Sequence, residues 1–112
     1  MLARANRLSA RQVEAVVKGG KAFHSPNFTL RSMASKTGHA KIAAVAPVKA
    51  VKKAVQRNRM KRLIYEAARP LLSRMKNDIQ TIVLAKSSAT NLELADISKE
   101  LTGLFEKAGL LR

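Results

Sequence analysis

"KAVQRNRMKR", Lys53 to Arg62, is the stretch on which the fold of this chain turns. Five of its ten residues are cationic and none is acidic. Continued to Leu71, it places Met60, Leu63, Ile64, Ala67 and Leu71 at helical spacing, which predicts a helix from about Lys52 to Arg69. At about 3.6 residues per turn, Arg57, Asn58, Lys61, Arg62 and Tyr65 project from one side and the apolar row from the other. Pro70 has no amide proton and is expected to kink or end the helix.

Upstream, "SARQVEAVVKGG" predicts a short helix with both ends marked. Ser9 and Gln12 have capping-box spacing, Val13, Val16 and Val17 form the apolar stripe, and Gly19-Gly20 reads as a left-handed stop. Two strand-like runs follow, "NFTLRSMAS" and "KIAAVAPV", with Thr37-Gly38-His39 between them as an expected hairpin turn. Phe28, Leu30 and Ser32 share one face of the first run, and Thr29, Arg31 and Met33 the other. Pro47 places the second run at an edge or ends it there. There is room for a further short strand near Ala22-Phe23.

Downstream, "DIQTIVLAK" holds a compact apolar run, Ile82 to Ala85, suited to a buried strand. A closing helix carries Leu94, Ile97, Leu101, Leu104, Phe105 and Ala108 on one face, with Thr90 or Asn91 as its expected cap and Gly109 as its terminator. The order is α-β-β-(β)-α-β-α. No repeat, linker or low-complexity tract interrupts it, so residues 1–112 are read as one domain of α/β class, an α+β sandwich.

The charge balance selects the partner class. The net charge is +15, and no acid lies between Glu14 and Glu66, an interval that holds twelve lysines and arginines. Such an excess strains the isolated fold and favours a polyanion, with nucleic acid the first candidate and an anionic membrane surface the second. On the basic helix, Arg57 and Lys61 lie one turn apart, as do Asn58 and Arg62. Like charges at that spacing oppose helix formation slightly, whereas phosphate relieves the repulsion. Arg57, Asn58, Lys61 and Arg62 are therefore expected to meet phosphate and the polar edges of a nucleic acid. Asn58 both donates and accepts, so it suits a 2′-hydroxyl or a base edge.

With no cysteine, disulfides and thiolate chemistry are excluded. No apolar run approaches the roughly 20 residues of a membrane span, and "MLARANRLSARQ" has no apolar stretch long enough for a secretory signal, so a cytoplasmic protein with no membrane partner is expected. His24 and His39 lie in different segments without a neighbouring carboxylate, and the acids are scattered. No protein side chain is therefore expected to be catalytic or to ligate a metal.

"AVQRNRMKRLIYEA", Ala54 to Ala67, resembles the signature of the bacterial ribonuclease P protein subunit family, in which an Arg-Asn-Arg triplet is followed, after one apolar residue, by Lys-Arg on a long helix. The likeness extends to the strand "IQTIVLAK" and to the ending "LTGLFEKAGLL". It implies a single RNA-binding domain over residues 1–112, the protein subunit of a ribonucleoprotein endoribonuclease, binding a catalytic RNA through Arg57, Asn58, Arg59, Lys61, Arg62 and Lys53 and helping it remove the 5′ leader of precursor tRNA. It implies a left-handed βαβ crossover, chemistry supplied by the RNA, and Mg2+ held mainly by that RNA. It further implies a leader cleft between the sheet and the first helix, with Phe28, Arg31, Lys49, Val13 and Val17 as its candidate lining. This chain has valines where the family often has phenylalanines, Ala50 and Lys52 where lysine and glycine are common, and Tyr65 where a basic residue is usual. A structural RNA-binding protein of ribosomal type is the alternative that the charge and size also accommodate.

Overall fold

The computed structural model describes residues 8–34 and 38–112. Its elements run α1 (Ala10–Gly19), β1 (Lys21–His24), β2 (Phe28–Ala34), β3 (Lys41–Val45), α2 (Ala54–Leu72), β4 (Ile79–Ala85) and α3 (Leu94–Lys107). The fold is thus mixed α+β, and the further short strand expected near Ala22-Phe23 is β1. The four strands form one sheet in the order β1-β2-β4-β3. β1 pairs antiparallel with β2, β2 antiparallel with β4, and β3 parallel with β4.

This order corrects the expected hairpin. β2 and β3 do not pair; β4 lies between them, opposing Ile82 to Arg31 on one side and to Ala43 on the other. Thr37 lies outside the described residues. The physical reason is burial: Ile42, Ala43 and Ala44 are all buried, which suits a strand covered on both faces beside β4 better than one arm of a two-stranded ribbon. β3 is an edge strand ending before Pro47, as the proline predicts.

Alternation along the strands separates two cores. Phe28 and Leu30 of β2, Ile42 and Ala44 of β3, and Val83 and Ala85 of β4 face one way and join Met60, Ile64, Leu71, Ile97, Leu101 and Phe105 in the main core. On the opposite face, Val16 of α1 meets Ala43 and Ile82, flanked by the half-buried Leu8, Val13, Met33, Val45 and Leu84. Two helices therefore cover one face of the sheet and a single short helix covers the other.

The helix ends show how local chemistry sets the elements. Ser9 accepts from the Gln12 amide at 3.2 Å and its own amide donates to Gln12 Oε1 at 2.9 Å, completing the expected capping box. The other end differs from expectation. Gly20 has φ −80°, so it is no left-handed stop. A Cβ there would sit 2.6 Å from the Val16 carbonyl oxygen and 3.0 Å from that of Ser32, so glycine is required by close approach of the backbones. Gly109, with φ +72°, does end α3 in the left-handed region. Thr90 and Asn91 do not cap α3; they belong to a 3-10 turn at Ser87–Asn91. The N-cap is Glu93, whose amide donates to Asp96 Oδ2 at 3.2 Å. Pro70 does not stop α2 at once: the helix runs two residues further, and the proline sits in its last turn.

Candidate nucleic-acid interface

α2 begins at an extended Lys53 and presents Met60, Ile64, Ala67, Ala68 and Leu71 to the main core. That anchorage leaves Lys53, Asn58, Lys61 and Arg62 exposed. Among the described residues none of the α2 cations Arg57, Arg59, Lys61 and Arg62 is paired with a carboxylate; the ion pair found there is Lys18–Glu14 on α1, at 3.0 Å. Arg62 and Glu66 are one turn apart, a spacing that favours pairing, and yet do not pair.

The two flanking arginines of the triplet behave differently from Lys61 and Arg62. Arg57 is half-buried and turns back over the helix start, donating to the carbonyls of Val51 at 3.0 Å and Lys52 at 2.7 Å. Arg59 is half-buried on the other flank and reaches the carbonyls of Thr90 at 3.3 Å and Leu92 at 3.2 Å. It therefore ties α2 to the segment leading into α3. Periodicity puts Arg57 beside Lys61, but it does not show that a carbonyl lies within its reach. Tyr65 also departs from a free cationic flank: it packs partly against the main core, and its hydroxyl accepts from the Ala44 amide of edge strand β3 at 3.2 Å.

The second candidate group is divided by the sheet. Val13 is half-buried on α1, and Val17 remains 45% exposed. Arg31 projects to the same side and donates to the carbonyls of Val17 at 3.1 Å and Gly20 at 3.4 Å, closing the C-terminal end of α1. These three residues lie together. Phe28 does not join them: it is fully buried in the main core on the opposite face, which corrects its placement in a cleft beside α1. Lys49 is exposed in the turn before α2.

One carboxylate acts structurally in a way no spacing rule discloses. Glu100 of α3 accepts from the Ser25 hydroxyl, from the Asn27 amide at 2.8 Å and from Asn27 Nδ2 at 2.7 Å. Burial pushes its carboxyl upward, but these hydrogen bonds and the Lys86 charge outweigh that and hold it below the ordinary carboxylate range. Lys86 in turn donates to the Ser25 carbonyl at 2.8 Å. The residues lie about 75 positions apart, so only the fold reveals the cluster.

Among the described residues no group of three or more histidines and carboxylates converges as a metal site. The side chains present do not fit a protein-built magnesium cage. No helix among those residues is long and apolar enough to cross a membrane.

An α+β scaffold whose longest helix buries one flank and exposes an unpaired cationic one defines a nucleic-acid-binding protein. Comparison with known proteins identifies the kind. The family model described as Ribonuclease P matches residues 2–109. A ribonuclease P protein component from Vibrio campbellii is 37% identical over 83 residues, covering 74% of this chain and 66% of its own length. One from Pseudanabaena is 31% identical over 113 residues, covering 99% of this chain and 97% of its own. The aligned part is thus about two thirds of the Vibrio relative and nearly all of the Pseudanabaena one. Among solved structures, a Staphylococcus aureus ribonuclease P protein superposes with TM-score 0.85 at 22% identity, covering 97% of this chain and all of its own. A Thermotoga maritima one gives 0.79 at 19%, covering 90% and 96%, and both show the shared fold. This chain belongs to the ribonuclease P family, and the relatives it matches are ribonuclease P protein components.

Proposed function

We propose that the exposed flank of α2 docks on the catalytic RNA of ribonuclease P, and that the α1 face of the sheet receives the single-stranded 5′ leader of precursor tRNA. The whole chain then acts as one RNA-binding domain, in the cytoplasm where tRNA transcripts are matured. The observation that carries this reading is the pair Lys61 and Arg62: exposed, one after the other, and without a carboxylate partner on a helix anchored by its opposite flank. Their charge is available to phosphate at little cost to the fold. Arg57 and Arg59 contribute positive potential while their hydrogen bonds hold the helix start and the α3 connection in place, and Asn58 offers a donor and an acceptor beside them. Val13, Val17 and Arg31 are the residues best placed to meet the leader. Magnesium belongs, on this reading, with the RNA, which carries the cleavage chemistry; the protein lowers the electrostatic cost of bringing two RNAs together.

The test is reconstitution with the catalytic RNA from the same genome. Added protein should raise pre-tRNA cleavage at low magnesium, and no improvement would point instead to a structural RNA-binding role. Arg62→Ala should weaken RNA binding and lower the log–log salt slope by roughly 0.7–0.9, the loss of about one phosphate contact, with unfolding unchanged. A slope equal to that of the wild type would remove Arg62 from the phosphate contacts.

A further inference from the structure

On the outer flank of α2 a hollow of about 420 Å³ is lined, among the described residues, by Asn58, Lys61, Arg62, Tyr65 and Glu66. Its volume falls in the range of small-molecule sites, far beyond what a flat phosphate-binding surface needs. We infer that this hollow takes one unstacked nucleotide of an RNA, and that it prefers guanine. The inference rests on the docking of α2 on RNA proposed above and adds what one part of that surface reads.

Three features of the lining define the occupant. Lys61 and Arg62 are exposed and unpaired, so an anion is wanted at that end. Tyr65 is the chain's only tyrosine, and its hydroxyl is engaged by the Ala44 amide at 3.2 Å. That bond and the partial packing on the core hold the Tyr65 side chain in place where it lines the hollow, and a held aromatic ring is what base stacking uses. Glu66 is a carboxylate set among cations, and among the described residues it makes no ion pair even though Arg62 is one turn away. It is exposed in the lining and its two oxygens only accept, which suits an occupant that presents N–H donors.

An acidic peptide would supply the anion but set its charge against Glu66, and inorganic phosphate has no face to stack. A nucleotide supplies a phosphate, a flat ring and a hydrogen-bonding edge at once. Guanine presents an N1–H and an N2 amino group side by side, a match for both carboxylate oxygens. Adenine, cytosine and uracil place an acceptor beside their donors and would turn a lone pair on the carboxylate. Asn58, one turn before Arg62, is suited to the ribose 2′-hydroxyl.

Tyrosine ring labelling of the full chain gives signals from Tyr65 alone. Titration with the four nucleoside 5′-monophosphates and with inorganic phosphate should give a saturable upfield ring shift, reached at the lowest concentration with GMP, and none with phosphate. Glu66→Gln should reduce the preference for GMP over AMP by roughly fivefold, the lower end of a good bidentate base contact. Tyr65→Phe and Tyr65→Leu both lose the hydroxyl bond, so comparing them isolates the ring. Read on the Arg62 and Glu66 amides, the phenylalanine variant should keep GMP binding and the leucine variant lose it. The inference is overturned if phosphate reproduces the shift, if Glu66→Gln leaves the preference intact, or if the two Tyr65 variants behave alike. It also falls if GMP gives no shift while the wild type still binds the catalytic RNA with its steep salt dependence. Absence of RNA binding alongside a GMP-specific shift would instead overturn the proposed function and leave the nucleotide site standing.

Discussion

The two faces of the sheet are built to different depths. On the face shared with α2 and α3, large side chains such as Phe28, Met60, Ile64 and Phe105 are fully buried. On the other, α1 contributes one fully buried residue, Val16, over Ala43 and Ile82, and Val17 is left nearly half exposed. The thick face holds the molecule together. The thin face is kept in place by end devices: the Ser9–Gln12 box, the Arg31 bonds to two carbonyls, and the close fit of Gly20 against β2. A helix fixed at its ends with little packing beneath leaves accessible surface beside it. The same division recurs on α2, where an apolar flank anchors and a cationic flank stays open.

Breaking the comparison at its deepest point should have the largest effect. Phe28→Ala should cost about 3–5 kcal/mol in urea unfolding, against about 1–3 kcal/mol for Val16→Ala on the thin face. Equal losses would mean that the two faces contribute alike. Gly20→Ala comes next: the added methyl meets two backbone oxygens that cannot move independently, and about 1–3 kcal/mol should be lost. Hydrogen exchange should then rise in α1 before it rises in α2; a uniform rise would argue that α1 is not separately held.

Glu100 sharpens the comparison through pH. Its carboxyl is held low in the folded chain, so the stability it adds is present above the ordinary carboxylate pKa and fades as acid drives the pH through its lowered value. Glu100→Gln should flatten the acid limb of the stability–pH curve and loosen the Ser25-Pro26-Asn27 turn. An unaltered acid limb would show that this carboxylate is not linked to folding. The smallest effect belongs to Arg31→Met, which removes two bonds to carbonyls at the end of α1. A cost of about 1 kcal/mol, with faster exchange confined to the last turn of α1, is the expected result.

Much of this was legible because it depends on period and local chemistry. The 3.6-residue row from Met60 to Leu71 places α2, the two-residue alternation from Phe28 to Met33 separates the faces of β2, and Ser9 with Gln12 marks the start of α1. Three of the misplaced details involve partners distant in the chain, whereas the shift of the α3 cap from Thr90 or Asn91 to Glu93 is local. The β2–β3 turn looked like a hairpin because adjacent strands usually pair, yet β4 enters between them. Gly20 looked like a left-handed stop because the Ser32 carbonyl that forbids a side chain is not visible in a list of letters. Phe28 looked available to a cleft, but it is the α2–α3 face that its side of β2 meets.

The amino-acid order alone settled that one helix would carry an apolar flank and a cationic flank, since side-chain identity and helical period are both properties of the chain. Which cations stay open was decided only by tertiary structure. Arg59 finds carbonyls at Thr90 and Leu92 that only folding brings near, whereas Arg57 finds its acceptors five and six residues upstream in the turn entering α2. Lys61 and Arg62 find none among the described residues, and Tyr65 is oriented by an amide of an edge strand twenty-one residues away. Hydrogen bonds depend on distance in space, and distance in space is what the sequence does not state.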